Sequence, residues 1–465
     1  MTEITRHRVP FHGTRATTGP LTWGQLEMWS EAVIGQEGVP TFANMINGGP
    51  LPPGTTVEAV LAALGRLIER HESLRTRYRL DPSGDPVQEV VQAGEAEFEV
   101  VAIAPDASAA EITGSWWPYL DQPYDLADGL PFRARIGTVE GEPVSILFGM
   151  SHLSSDFLGA SVLYGELAGM LDGQEPTGPA LQPVDLAELE GSDQGRRVLE
   201  RAMGHWRDEL SKAPSTMFHT PGGAPEEPRY WRGGIRSQVA ARMLVKAAER
   251  TGIGTSYILL AAMAVLVGRL TGRDRCSVRA VASNRGRPEF RRAVGNLSQE
   301  TPLVVDLGAD TFQEVLEGAR VASLNAVRHG RYDPRRVAAI VDAHAVELDV
   351  CFNDLWTPAR GPVGPEEVPP ALTSFEWEEK VDRASVSFFL EAFTVPDDPA
   401  AIRLSLFADT AHLPPDGIRA YLDTLERLLT VLAERDVRLD EIDPGALDPG
   451  ATGPGAVWPL PHPVA

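Results

Sequence analysis

Apolar residues recur along this chain with two periods, and the period separates helices from strands before any other property is used. Val60, Leu61, Leu64, Leu67 and Ile68 share one helical face, which predicts a helix over Val57 to Arg70. Leu158, Val162, Leu167 and Leu171 repeat the stripe over Asp156 to Leu171, and Gly173 supplies the stop. Leu21 to Trp29 opens an earlier helix, capped near Thr22. Strand-like runs lie at Val87 to Val91, Glu97 to Ile103, Phe132 to Gly137 and Val144 to Met150.

Beyond Gly173 to Pro183, a proline- and glycine-rich link, the alternation resumes. Helices are predicted at Ser192 to Ala213, Ser256 to Leu270, Thr311 to Arg328, Pro334 to Ala343 and Ile418 to Ala433. Strands are predicted at Cys276 to Ala282, Pro302 to Asp306, Leu348 to Phe352, Val386 to Phe393 and Ile402 to Phe407. Pro358 to Pro370 reads as a loop, and the end of the chain as an irregular tail. The fold class is mixed α/β. The expected organisation is one lobe over 1–175, a second over 176–440 and a tail over 441–465.

Composition narrows the function. With 465 residues, 43% hydrophobic and 23% charged, the chain can build two or three globular cores. Its 42 basic and 65 acidic residues leave a net charge of −23, which repels phosphate backbones and anionic membranes. Nucleic acid and membrane partners are therefore not expected. Two cysteines, Cys276 and Cys351, make no disulfide framework and have no metal-type spacing to histidines, so no metal site is expected. Met1 to Gly13 lacks the apolar run of a secretory signal, and Tyr257 to Leu270 is too short to span a bilayer. A cytoplasmic monomer is the expectation. No glycine-rich phosphate loop follows a strand.

The stretch with chemical potential is Ser151-His152-Leu153-Ser154-Ser155-Asp156, where a strand gives way to a helix. A histidine at a strand end can take a proton or hold a nucleophile, because imidazole titrates near neutral pH. Asp156 sits at the helix start, where exposed N–H groups favour a carboxylate.

This stretch resembles the HHxxxDG signature of nonribosomal peptide synthetase condensation domains, and companion motifs follow in the family's order. Arg70-His71-Glu72-Ser73-Leu74-Arg75-Thr76-Arg77-Tyr78 is similar to RHExLRTxF. Gln25 and Trp29 lie in a looser match to the family's first motif. Pro123-Tyr124-Asp125-Leu126, with Gly129 and Arg133, resembles PFDLxxGPLxR. Asn284 to Glu289, followed by Val294-Gly295, resembles NRxRPE…IG.

The resemblance implies two chloramphenicol acetyltransferase-like lobes in a V-shaped pseudo-dimer, with an active-site tunnel between them. It implies no bound cofactor. The donor would be a thioester on the phosphopantetheine arm of an acyl or peptidyl carrier protein, and the acceptor a small-molecule or carrier-bound amine or hydroxyl. His152 would be the catalytic group. Asp156 and Arg285 would form a structural ion pair across the lobes. Ser151, Ser155, Phe157, Ser298, Gln299 and Glu300 would line the tunnel.

Several of these positions depart from the family pattern. Ser151 replaces the first histidine, and Phe157 replaces the glycine after the aspartate. Phe157 would either narrow the tunnel or pack into its helix. Gln299 and Glu300 replace an asparagine and a small neutral residue, and Glu300 would either favour a cationic acceptor or face solvent. Of two arginine-rich islands, Arg273 to Arg292 and Arg328 to Arg336, one would help to dock the carrier, or both would be solvated faces or structural pairs. The chain starts at Met1 and shows no adenylation or carrier segment, so a free-standing enzyme meeting its carrier in trans is expected. The alternatives are a non-catalytic relative that recruits tailoring enzymes or carrier proteins, and an acyltransferase using coenzyme A thioesters.

Overall fold

The computed structural model describes residues 4–36, 44–178, 180–218, 223–358 and 373–442. The chain forms two compact units. The first gathers the described residues through Met203, together with Ser283–Gln299 and Gly330–Val337; the second holds Gly204–Ala282, Glu300–His329 and those from Ala338. The boundary read from the sequence, at 175, falls in a loop, whereas the units divide at 203, inside a helix. The stretch around Arg285 groups with the first unit. The loop at Pro358 to Pro370 lies, beyond its first residue, outside the described residues, as does the tail after Ile442.

The first unit begins β1 (Ile4–His12), β2 (Thr17–Pro20), α1 (Trp23–Gln36), β3 (Asn44–Pro50), α2 (Val57–Arg70), β4 (Thr76–Leu80) and β5 (Pro86–Val90). It continues with β6 (Ala93–Ala102), α3 (Ala109–Leu120), β7 (Phe132–Val139), β8 (Glu142–Ser151), α4 (Phe157–Leu171), α5 (Pro183–Gly191) and the start of α6 (Asp193–Leu210), whose residues from Gly204 belong to the second unit. A five-stranded sheet has the order β1-β6-β7-β8-β3, and a small one the order β2-β5-β4. In the larger sheet β6 and β7 run parallel and the other pairs antiparallel.

The periodicity predicting α2 is realised over the same residues. Thr56 caps it by accepting from the Ala59 amide, and Val60, Leu64, Leu67 and Ile68 are buried. These side chains share a core with Phe98, Phe132 and Phe148 of the sheet and Leu163 and Leu167 of α4. Each such buried side chain contributes roughly 1.5–3 kcal/mol. β1 escapes prediction, because its exposed positions are basic and mask the alternation. Arg6 and Arg8 pair across to Glu97, Glu99 and Glu95 of β6, so charge pairs reinforce this edge strand's ladder.

The second unit contains β9 (Tyr230–Ser237), α7 (Gln238–Thr251), α8 (Thr255–Thr271), β10 (Arg275–Ala282), β11 (Gln299–Asp306) and α9 (Phe312–Arg328). After α10 (Pro334–His344), where the chain re-enters it, come β12 (Val350–Leu355), β13 (Thr373–Val381), β14 (Phe388–Thr394), β15 (Ile402–Asp409) and α11 (Pro415–Glu434). Seven strands join in the order β11-β10-β12-β14-β15-β9-β13. The core sets α7, α8, α9 and α11 against one sheet face, through Ile235, Val278, Leu390 and Leu406. α8 is buried over Ile258–Gly268, which explains its uninterrupted apolar sequence. Among the described residues no single helix is long and apolar enough to cross a membrane.

Candidate functional site

β8 lies between β7 and β3, so its backbone is hydrogen-bonded on both edges and its last residue, Ser151, is delivered at a fixed place. Ile146, Phe148 and Met150 anchor the strand in the core. At Ser151 the chain turns sharply. The Ser151 carbonyl accepts from Ser154 N at 2.9 Å, Ser154 Oγ at 2.7 Å and Ser155 N at 3.3 Å. Asp156 then caps α4 by accepting from Gly159 N at 2.7 Å.

Asp156 does more than cap. Its Oδ1 also accepts from Arg285 Nη2 at 2.6 Å, and its Oδ2 from the amides of Leu297 at 3.0 Å and Ser298 at 3.2 Å. Arg285 spreads its other bonds over the carbonyls of Phe290, Ala293 and Gly295. Gly159 makes room for this knot, since a Cβ there would stand 2.5 Å from Ser155 Oγ. A carboxylate with four donors has no lone pair to spare for proton transfer. The pair lies within the first unit and fixes geometry there.

His152 occupies the centre of the turn and is half-buried. Its Nδ1 is buried and has no hydrogen-bond partner among the described residues. Burial holds the imidazole below its ordinary titration range, against weaker opposing effects of its own backbone and the Asp156 carboxylate. Burial thus favours the neutral imidazole, the form that accepts a proton from an incoming nucleophile.

The peptide after Leu153 is also pinned. The Leu153 carbonyl accepts from Tyr78 Oη at 3.1 Å and from Gln25 Nε2 at 3.2 Å. Tyr78 closes the motif resembling RHExLRTxF, and Gln25 belongs to the first motif. Leu21, Tyr78, Tyr124, Leu126 and Leu153 form one apolar cluster, so four separated motifs meet around this turn. In the sequence Tyr78 and Gln25 are only motif letters. Their polar groups give no sign there of where they point.

The other candidates divide sharply. Ser155 is buried and its Oγ donates to the Asp156 carbonyl at 2.9 Å. Ser151 is buried, and its Oγ accepts from the Leu153 amide. Gln299 is buried, with its amide on Glu27 and the Tyr332 carbonyl. Ser298 is half-buried and bonds Asn296. Phe157 is the half-buried first residue of α4. Glu300, in the second unit, is paired with Arg279 at 2.7 Å, so it does not offer a bare carboxylate to a cation.

The arginine-rich islands are largely internal pairs. Arg292 joins Glu166, Arg331 joins Glu190, and Arg335 joins Asp333. His71 is buried against Glu166 at 2.8 Å, and Arg70 reaches the same carboxylate. The Arg70-His71 pair thus tethers α2 to α4. Cys276 and Cys351 are free and buried, and burial raises both thiols. No metal-type cluster occurs among the described residues.

The family model for the condensation domain matches residues 42–353. This chain belongs to the condensation domain family. One relative, a linear gramicidin synthase polypeptide of Brevibacillus parabrevis, is 27% identical over 67% of the chain. That match covers 6% of the relative, so this condensation domain spans a small part of the synthetase's length. Bacitracin synthase 3 of Bacillus licheniformis is 23% identical over 82% of the chain, again across 6% of its own length. Among solved structures, the first condensation domain of the CDA synthetase superposes with TM-score 0.67 at 18% identity, covering 92% of this chain and 99% of that one. The X-domain in its complex with OxyB from teicoplanin biosynthesis gives TM-score 0.67 at 20% identity, covering 93% and 97%. These likenesses establish the chloramphenicol acetyltransferase-like fold that condensation domains share.

Proposed function

We propose that this condensation domain transfers an acyl or aminoacyl group from a carrier-protein thioester to an amine or hydroxyl acceptor in nonribosomal peptide or related natural-product synthesis. The observation that carries the reading is the half-buried His152 ring, its Nδ1 unpartnered among the described residues, on a turn whose Ser151 and Leu153 carbonyls are both held. An α-amine has a pKa of about 8 and is mostly protonated at neutral pH, while only its free form attacks. In the reaction, the acceptor's nitrogen or oxygen bonds to the thioester carbonyl carbon and the C–S bond breaks. His152 takes the acceptor's proton, and the phosphopantetheine sulfur leaves and is protonated as the thiol. Holding both reactants together supplies much of the acceleration.

The test is incubation with acyl-loaded carrier proteins, supplied as separate chains, and a panel of amines and alcohols, with product mass read directly. Transfer that His152→Ala abolishes in a folded protein supports the reading. Full activity of that variant sinks it. Ser151 and Phe157, where the signature is altered, favour a second reading: a non-catalytic domain that recruits tailoring enzymes or carriers. It predicts carrier binding without transfer, unchanged in His152→Ala. A parallel arm with the coenzyme A thioester of the same acyl group separates a coenzyme A-dependent enzyme.

A further inference from the structure

Three buried polar side chains converge behind the His152 turn from three separate elements. Gln25 on α1 accepts from Thr22 N at 2.8 Å through Oε1. Its Nε2 faces Leu153 O at 3.2 Å, Gln88 Oε1 at 3.3 Å and Tyr78 Oη at 3.4 Å. Gln88 on β5 donates onward to Pro20 O at 2.9 Å, and Tyr78 on β4 donates to Leu153 O at 3.1 Å. Gln25, Gln88 and Tyr78 are at most 1% exposed.

An apolar contact would hold α1 against these strands at least as firmly, because every buried amide and hydroxyl loses water. What a hydrogen-bond network adds is direction. Here the direction is spent on one group, the carbonyl of the residue after His152. The Ser151 carbonyl on the other side is held by Ser154 and Ser155. The peptide before His152 and the peptide after Leu153 are thus fixed in orientation, and the Leu153 amide between them donates to Ser151 Oγ, while the ring's Nδ1 has no partner of its own among the described residues.

We propose that Tyr78 and Gln25 are positioning residues for His152, acting through the Leu153 carbonyl to set where the imidazole points. The inference rests on His152 being the working group. Burial keeps the Tyr78 phenol protonated far above neutral pH, so its hydroxyl remains a donor throughout any working range.

The test compares two volume-conserving variants of the full chain. Tyr78→Phe removes the hydroxyl on Leu153. Tyr124→Phe removes another buried hydroxyl of the same cluster, one bonded to the Leu120 carbonyl at 3.4 Å and not to the His152 turn. Histidine labelled with carbon-13 at Cε1 gives ten signals, and the one missing in His152→Ala is followed against pH. In Tyr78→Phe the turn loosens, water reaches the ring, and the His152 titration moves up toward the ordinary imidazole range. It stays in place in Tyr124→Phe. With an acyl-carrier substrate, Tyr78→Phe lowers kcat by on the order of tenfold to a hundredfold at constant KM, the effect of a misdirected reacting group. Gln25→Met acts in the same direction. A His152 titration in Tyr78→Phe that stays put or moves down overturns the inference. Active His152→Ala protein would instead overturn the proposed function, and the titration would still report whether the turn is positioned.

Discussion

Replacing Asp156 gives the sharpest test of how the site is held. Its carboxylate and the Arg285 guanidinium have side chains 4% and 5% exposed, so solvent does not screen the pair. Asp156→Ala removes four acceptor contacts at once: to Arg285, Gly159 N, Leu297 N and Ser298 N. Stranding a buried charge costs about 3–5 kcal/mol. Loss of the α4 cap adds about 1 kcal/mol. A total of about 4–6 kcal/mol approaches the whole stability of an ordinary domain, and Asp156→Ala should not accumulate as folded protein.

Asp156→Asn is the measurable form. It keeps an oxygen for the cap and loses the charge, for a cost of about 2–3 kcal/mol from the weakened charged hydrogen bonds. Urea unfolding followed by tryptophan fluorescence gives the stability, and peptide-resolved hydrogen exchange gives the location. Exchange should rise together in the peptide beginning α4 and in the peptide holding Leu297 and Ser298, because one carboxylate binds amides in both. Arg285→Met leaves Asp156 its three amide donors but strands its charge and frees the carbonyls of Phe290, Ala293 and Gly295, for a cost of about 3–5 kcal/mol. In the double variant the losses should fall short of their sum by about 1–3 kcal/mol. An Asp156→Asn cost below about 1 kcal/mol, or exchange rising at α4 alone, would refute the claim that this pair ties the two segments together.

Other outcomes follow from the same contacts. Burial alone would raise the Glu166 carboxyl, but His71, Arg70 and Arg292 hold it down to about 2. Its stabilising effect is complete above the unfolded carboxylate range and is lost as pH falls toward 2, so Glu166→Gln should show a shallower acid-side decline in urea midpoint. Buried Glu190, raised by burial to about 7, behaves oppositely. Its protonated form is favoured on folding, so stability falls as pH rises from the ordinary carboxylate range through 7, and Glu190→Gln should flatten that slope. Gly159→Ala drives a methyl against Ser155 Oγ and should lower the first unit's stability by about 1–3 kcal/mol, read by urea unfolding.

Much of this architecture is legible in the sequence, for a reason that also explains what is not. α2, α4 and α8 bury whole faces, and burial writes a period into the chain. Where another force does the holding, the period fades. β1 relies on cross-strand charge, β13 is an edge strand that stays largely exposed, and α3 carries a proline inside an apolar run. The site divides in the same way. His152, Asp156 and Arg285 are legible through motif resemblance, and the structure puts the aspartate on the arginine. Glu300 reads in the sequence as open to a cation because its partner Arg279 sits on another strand, twenty-one residues away along the chain.

The motif letters gain a common physical meaning once their partners are known. Arg70 and His71 hold Glu166, Gln25 and Tyr78 hold the Leu153 carbonyl, and Arg285 holds Asp156. Apart from the half-buried Arg70, each is a buried polar group whose energetic return over an apolar substitute is small or negative. Such groups persist where orientation matters more than stability, and here the bonds converge on β8's last residue, the turn after it and the helix that follows. Loosening the Gln25 or Tyr78 contact should therefore disturb the direction of the His152 ring more than the survival of the fold. That ordering of effects, activity before stability, separates a positioned site from a merely well-packed one.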